Sequence, residues 1–169
     1  MKTAVKNAGK LQVTTPSDRE IVMSRVFDAP RELVFEAHSS CEHMSNWWGP
    51  RKYEFASCEI DFRAGGKWRI VHRGPAGEED QGFRGEFREI VPPERIVWTF
   101  EWEGMPGHIS VETLTLEEHD GKTTVTATSV FDSVQDRDGM LESGMESGAA
   151  ESYDRLAEYL EVLTKRTVG

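Results

Sequence analysis

Apolar and polar residues alternate along most of the chain between Tyr53 and Phe131, with short interruptions rich in glycine, proline and aspartate. A period of two is typical of strands that bury one face and expose the other. The interruptions have the composition of turns. The pattern therefore predicts six consecutive strands, and their short links imply antiparallel pairing. An earlier β-rich run at 20–27 adds a seventh strand.

Helical patterns lie on both sides of these six strands. Pro30 suits the first turn of a helix that one of the two preceding residues, Asp28 or Ala29, would cap. Ser39 and Glu42 have the spacing of a capping box, which predicts that a second short helix begins there. An amphipathic stripe near the C-terminus predicts one long helix from about residue 138 to 164.

The predicted order of elements is that of the helix-grip fold, an α+β fold in which a curved antiparallel sheet wraps a long C-terminal helix. Several segments resemble those of the homologues of the activator of the heat-shock-protein-ninety ATPase, in the START-like, birch-pollen-allergen-like (SRPBCC) superfamily. These segments read R-V-F-D-A-P-R-E-L-V-F-E-A, W-W-G-P, D-F-R-A-G-G-K-W and G-E-F-R-E-I-V-P-P-E-R-I-V-W-T-F. The resemblance covers about 19–165 and implies one domain. One departure is the Gly-Trp pair common early in the family's last helix, which is Gly144-Met145 or Gly148-Ala149 here.

Composition narrows the range of partners. A net charge of −10 and a pI near 5.0 argue against nucleic acid and against anionic membranes. No apolar run has the length of a membrane span, and residues 1–18 read as a flexible polar tail without a secretory signal. Cys41 and Cys58 show neither metal-site nor disulfide spacing, so we expect free thiols and a cytoplasmic location.

The adjacent pair Trp47 and Trp48 precedes a Gly-Pro stop, so the sequence places it on the last turn of the second short helix, with Gly49 in the left-handed conformation. Adjacent helical positions point about 100° apart. One indole should therefore pack in the core and the other should line the mouth of a pocket. The sequence does not say which does which.

The larger set of candidate ligand-binding residues comes from the inward-facing strand positions, a loop and the C-terminal helix. An equally simple interpretation is that these side chains fill the interior completely. The strand at 96–102 carries apolar groups on both faces, so the sequence does not determine which of its faces is concave. The candidates are Trp47, Trp48, Trp68, His72, Phe83, Phe87, Trp98, Phe100, His108, Met140, Met145 and Tyr153.

His72 is the most informative of these candidates because it alternates with Trp68 and Ile70 and should face inward. A buried imidazole needs a polar partner, for which Glu89 or a hydroxyl is the expectation. Such a histidine has a structural role, recognises a ligand, or performs acid–base work. His108 lies in the loop that starts at Met105, which is either an ordinary connection or a lid.

Three functions are consistent with the sequence. The leading hypothesis is a non-catalytic binder of a small, largely apolar molecule. The resemblance implies two others: a regulator that contacts a chaperone partner, and a cyclase- or hydrolase-like enzyme using the same cavity. The sequence contains no nucleophile elbow, phosphate loop or dinucleotide motif, so it predicts neither catalytic residues nor a cofactor.

Metal binding has little support in the sequence. Glu36, His38 and His43 contain the donors of an iron-binding triad, but short histidine motifs are unspecific. The set of His38, Cys41 and His43 lacks a fourth zinc ligand. We therefore expect no metal site.

Overall fold

The computed structural model describes residues 9–168, with the side chains of residues 9–166. Eight strands and four helices follow one another along these residues. In chain order they are β1 (Gln12–Thr14), β2 (Glu20–Phe27), α1 (Arg31–Glu36), α2 (Cys41–Met44), β3 (Glu54–Ile60), β4 (Lys67–Arg73), β5 (Gln81–Val91), β6 (Arg95–Trp102), β7 (Ile109–His119), β8 (Lys122–Val130), α3 (Val134–Glu142) and α4 (Met145–Val168).

The strands form one sheet in the order β1-β2-β8-β7-β6-β5-β4-β3, and every neighbouring pair is antiparallel. This confirms the predicted α+β architecture. The described strands number eight rather than seven, because Gln12–Thr14 pairs with β2 although it lies in the segment expected to be a flexible tail. The first eight residues of that segment lie outside the described residues.

The C-terminal segment is two helices, so the prediction of a single long helix was wrong. Gly144 adopts a φ of +85°, a left-handed conformation that glycine tolerates and that ends a helix. The Ser143 amide donates to the Met140 carbonyl at 3.2 Å to close α3, and α4 begins at Met145. The spacing of four residues from Leu141 to Met145 matches one helical turn across this break, so the sequence pattern alone did not reveal it, although α3 itself buries no residue.

Helix α4 fixes the core of the domain. Tyr153, Leu156 and Leu160 on its inner face pack into the same apolar cluster as Phe27, Ile70 and other buried side chains of the sheet. Its first turns carry smaller residues and leave space above β5–β8.

Both predicted helix caps needed correction. Helix α1 follows Pro30, which is itself the cap and makes no side-chain cap bond. Ser40, not Ser39, caps α2, and its hydroxyl accepts a hydrogen bond from the His43 amide at 3.3 Å. The Ser39 hydroxyl donates instead to the Glu36 carbonyl at 2.6 Å.

Cys41 and Cys58 form a disulfide with Cα atoms 5.9 Å apart, which contradicts the expectation of free thiols. The bond joins the start of α2 to β3 across a separation of 17 residues. The basis for inferring a reducing compartment is therefore removed. No helix within 9–168 is long and apolar enough to cross a membrane.

Candidate functional site

A cavity of about 700 Å³ lies between the inner face of the sheet and the helices α3 and α4. Its walls are mainly apolar, and its size falls in the range of small-molecule sites. All twelve candidate ligand-binding residues lie on its wall. They are Trp47, Trp48, Trp68, His72, Phe83, Phe87, Trp98, Phe100, His108, Met140, Met145 and Tyr153.

The two adjacent tryptophans have different environments in the turn after α2. Trp47 is 2% exposed, and its Nε1 donates to the Ala37 carbonyl at 2.9 Å, so it is largely a core residue that touches the cavity. Trp48 is half-buried and extends toward β4 and β5, where its ring centroid lies 4.9 Å from that of His72. Both tryptophans lie just beyond α2 rather than on its last turn.

Gly49 ends this turn with a φ of +94°, in the predicted left-handed conformation. A Cβ at this position would lie 2.3 Å from Cε1 of His72. The Arg155 guanidinium donates to the Gly49 carbonyl at 2.8 Å, and the Ser152 hydroxyl accepts from the Gly49 amide at 3.0 Å. Helix α4 thus holds the turn against His72.

His72 lies among the rings of Trp48, Tyr53, Phe55 and Phe83. We call His72 and the three of these rings that line the cavity (Trp48, Tyr53 and Phe83) the aromatic end of the cavity. The Tyr53 ring stacks on the imidazole with centroids 5.4 Å apart. Phe55 and Phe83 lie at the same centroid distance of 5.4 Å.

The imidazole of His72 is only 4% exposed. Its Nε2 has no hydrogen-bond partner among the described residues. Glu89, the expected partner, pairs instead with Arg95. Burial and the charge of Arg155 lower the pKa of His72 to about 4, against a hydrogen bond to the Trp48 backbone that raises it. The ring is therefore neutral near pH 7, and its Nε2 is a buried nitrogen without a partner, covered by the Gly49 turn beside the cavity.

The sequence did not determine which face of β6 points inward. In the structure this inner face carries Trp98 and Phe100. Phe100 stacks with Phe83 at a centroid distance of 5.6 Å. Trp68 lies across β5, where its Nε1 donates to the Thr99 carbonyl at 3.2 Å. Gly85 leaves the room for this contact, because a Cβ there would lie 1.8 Å from the same carbonyl oxygen.

Glu112 is a cavity residue that the sequence reasoning missed. Its Oε2 accepts from the Ser110 hydroxyl at 2.7 Å and its Oε1 accepts from the Ser129 hydroxyl at 2.6 Å. Burial raises the pKa of the Glu112 carboxyl, and the two serine hydrogen bonds oppose that rise. With Trp98 and Tyr153 these three residues form what we call the polar end of the cavity: Trp98, Ser110, Glu112, Ser129 and Tyr153.

A signal for Glu112 is nevertheless present in the sequence. Leu114 and Leu116 are buried on β7 and share its inward phase with Glu112 and Ser110. The side chain was overlooked because β7 is rich in Thr and Glu, a composition typical of an exposed face.

Tyr153 reaches the cavity from α4. Burial and the nearby Glu112 raise its pKa, against the charge of Arg25, which lowers it. Tyr153 is therefore a neutral phenol at any physiological pH.

The rim of the cavity is formed by the β6–β7 loop and by α3. Met105 in this loop is 48% exposed. Nδ1 of His108 lies 2.8 Å from Oδ1 of Asp136, which connects the loop to the first turn of α3. Met140 and Met145 lie on the two sides of the helix break.

The possible metal donors considered in the sequence analysis are only partly close to one another. Nε2 of His43 lies 3.5 Å from Oε1 of Glu36, and its Nδ1 lies 2.6 Å from the Tyr159 hydroxyl. His38 directs Nδ1 to the Val34 carbonyl at 2.7 Å, and burial lowers its pKa to about 4. Within residues 9–166 no three donors are grouped to hold a metal ion.

Comparison with known proteins agrees with this architecture. The profile of the family described as "Activator of Hsp90 ATPase homolog 1-like protein" matches residues 28–161, most of the chain. The chain belongs to this family. No curated protein matches the sequence.

Solved structures of similar proteins share the fold. A protein of Rhodobacter sphaeroides is 25% identical with a TM-score of 0.83, over 90% of this chain and 99% of that one. A Nitrosomonas europaea protein is 21% identical with a TM-score of 0.80, over 89% and 99% of the two chains. CalU16 of Micromonospora echinospora is 22% identical with a TM-score of 0.60, over 92% and 87%.

Both positions at which the resemblance implies a Gly-Trp pair lie beside the cavity. They carry Gly144-Met145 and Gly148-Ala149, and Met145, Gly148 and Ala149 line the cavity. Gly148 lies one turn later beside Pro50, whose Cγ would be 3.7 Å from an added Cβ.

Proposed function

We propose that the protein binds a small, largely apolar molecule in the cavity between its sheet and its C-terminal helices. The observation that carries this proposal is an interior of about 700 Å³ that aromatic side chains line without filling. Burial of apolar ligand surface there contributes about 25 cal/mol per Å². A domain that needed only a stable core would gain from filling this space, since cavities cost stability.

His72 supplies an orienting contact in this proposal. A buried imidazole nitrogen without a partner is unfavourable in the empty protein. A ligand hydroxyl that donates to Nε2 removes this penalty once the Gly49 turn shifts aside, and the surrounding rings hold the ligand body beside it. The neutral state of His72 suits a neutral hydrogen-bonding partner.

Two measurements test the proposal. Native mass spectrometry of protein purified from its own host should show a bound small molecule. Calorimetry should show that the neutral probe 2-(1-naphthyl)ethanol binds to the wild type and binds roughly tenfold or more weakly to Trp48→Ala. Val162→Ala, on the exposed face of α4, serves as the control. A bare mass, together with no calorimetric binding and no thermal shift from an apolar ligand library, would overturn the proposal.

His72→Gln tests the orienting contact separately. The variant should weaken binding of the naphthyl alcohol, while His119→Gln, at an exposed position, should leave binding unchanged. Equal affinities in the two variants would show that the ligand does not use Nε2.

A further inference from the structure

Glu112 is a carboxyl group in the cavity wall with an incomplete set of partners. Each of its oxygens accepts one serine hydroxyl, at 2.7 Å from Ser110 and at 2.6 Å from Ser129. A carboxylate has about four acceptor positions, so positions remain open. Among the described residues no basic side chain forms a salt bridge with Glu112.

The other charged side chains that face this region already have ion-pair partners, although Nε of Arg25 is buried without a hydrogen bond. Arg25, on the same inner face of the sheet, binds Oδ1 of Asp154 through Nη1 at 3.0 Å, and its guanidinium lies 5.0 Å from the Phe27 ring centroid. His108 and Asp136 pair with each other at the rim. A positive charge that neutralises Glu112 would therefore have to come from a bound molecule.

Aromatic surface adjoins the carboxylate. Trp98 is the direct partner of Glu112 in the β6–β7 register, as Ser129 is in the β7–β8 register. Side chains directly opposite in neighbouring strands have Cβ atoms about 5 Å apart. A carboxylate with an indole at the neighbouring strand position suits an ammonium group, because the carboxylate supplies the counter-charge and the ring can add a cation–π contact.

We propose that Glu112 and Trp98 form a cation subsite, so that the preferred ligands of the cavity are apolar molecules carrying one protonated amine. This inference rests on the proposed function and defines its ligand class. Ser110 and Ser129 orient the carboxylate, and Tyr153 is a neutral neighbour from α4. The net charge of −10 also favours the approach of cations over anions.

The arrangement also gives an approximate spacing between the two polar contacts of a ligand. His72 lies on β4 and Glu112 on β7, three strand spacings apart in the sheet. At about 4.8 Å per spacing this is roughly 14 Å along a flat sheet, and less along a curved one. A ligand that uses both contacts would be an elongated molecule with the amine at one end.

The test compares three probes with one naphthyl body: 2-(1-naphthyl)ethylamine, 2-(1-naphthyl)ethanol and 1-naphthylacetate. Calorimetry at neutral pH should show the amine binding about tenfold more tightly than the alcohol, since hydrogen bonds to charged groups are the stronger ones. The acetate should bind most weakly. Glu112→Gln should remove the preference for the amine over the alcohol.

The matched control is Glu117→Gln, which changes an exposed carboxylate on the same strand and alters the net charge equally. It should keep the preference for the amine. Trp98→Leu provides a second variant in case Glu112→Gln does not fold, and it should reduce the preference about threefold. Circular dichroism checks the fold of each variant.

The outcomes separate the two proposals. If the alcohol binds as tightly as the amine, or Glu112→Gln keeps the preference, the cation subsite is wrong while apolar binding stands. If both glutamate variants lose the preference equally, the protein's overall charge explains it and the subsite is again wrong. If no naphthyl probe binds, no apolar ligand co-purifies and the ligand library gives no thermal shift, apolar binding itself fails and the subsite fails with it.

Discussion

The aromatic end and the polar end of the cavity each bury a titratable group, but they treat it in opposite ways. At the aromatic end, rings enclose His72 and leave Nε2 without a partner. At the polar end, two hydroxyls hold both oxygens of Glu112. The first arrangement favours a neutral imidazole with one unbonded nitrogen. The second holds a buried carboxyl group in one orientation through two hydrogen bonds. Different substitutions should therefore affect stability and binding in different proportions at the two ends.

The largest expected effect separates the two tryptophans beside the aromatic end. Trp47→Ala should lower the free energy of unfolding by about 3 to 5 kcal/mol, because Trp47 is 2% exposed and bonded to Ala37. Trp48→Ala should cost roughly half as much stability and should reduce probe affinity more strongly. Urea denaturation and calorimetry on both variants measure this. A larger stability loss for Trp48 would reverse the assignment of core and pocket.

The disulfide connects the helix before the tryptophan turn to β3. Replacing Cys41 and Cys58 together with serine should lower the free energy of unfolding by about 3 kcal/mol, as expected for a closed loop of this length. Urea denaturation measures the change, and reductant should produce a similar loss in the wild type only. The unreduced wild type should weigh two hydrogens less than the reduced protein. An unchanged mass would mean that the thiols are free.

Stability should fall with acid because of two neutral histidines. The pKa values of His38 and His72 are about 4 in the folded protein, against 6.5 for an ordinary histidine. The unfolded chain therefore takes up protons first, and stability is lost as the pH falls from about 6.5 to about 4. His72→Phe should remove one of the two contributions, roughly 2 to 3 kcal/mol over that range. If His72→Phe lost stability at low pH as steeply as His119→Gln does, the assignment would be wrong.

Glu112 should show the opposite pH dependence at the polar end. Its folded-state pKa is raised, so ionisation destabilises the folded protein once the pH exceeds the ordinary carboxyl value of 4.5. Glu112→Gln should therefore gain stability relative to the wild type as the pH rises from 4.5 toward neutral. Thermal unfolding across this range measures the gain, with Glu117→Gln as the control. A difference that does not change with pH would mean that Glu112 does not titrate as inferred.

The sequence predicts the fold, and it predicts Trp48, His72 and Phe83 of the aromatic end but not Tyr53, because the predicted features depend on local patterns. Alternating strands and the phase of Trp68 and His72 place large side chains inward without any knowledge of distant contacts. The helix break at Gly144 was not predicted because the spacing from Leu141 to Met145 matches one helical turn. The disulfide between Cys41 and Cys58 was not predicted because it depends on how α2 packs on β3. The spacing of the two cysteines along the chain does not encode that geometry.

Glu112 and its two serine partners at the polar end were missed for a different reason, although Trp98 and Tyr153 were predicted there. Glu112 has the inward phase of Leu114 and Leu116, but a carboxylate is expected to face water unless paired. Its two serine partners come from its own strand and from β8, and pairing with β8 is visible only in the register. Tertiary context, rather than side-chain type, therefore decides which polar residues belong to the cavity.

The smallest expected effect concerns the rim that both ends share. The pair between His108 and Asp136 joins the β6–β7 loop to α3, but the histidine side chain is 50% exposed. His108→Gln should therefore change the free energy of unfolding by less than about 0.5 kcal/mol. If the pair restrains entry to the cavity, the variant should bind and release the naphthyl alcohol faster at unchanged affinity, as stopped-flow fluorescence would show. Unchanged rates would identify the β6–β7 loop as an ordinary connection and not a lid.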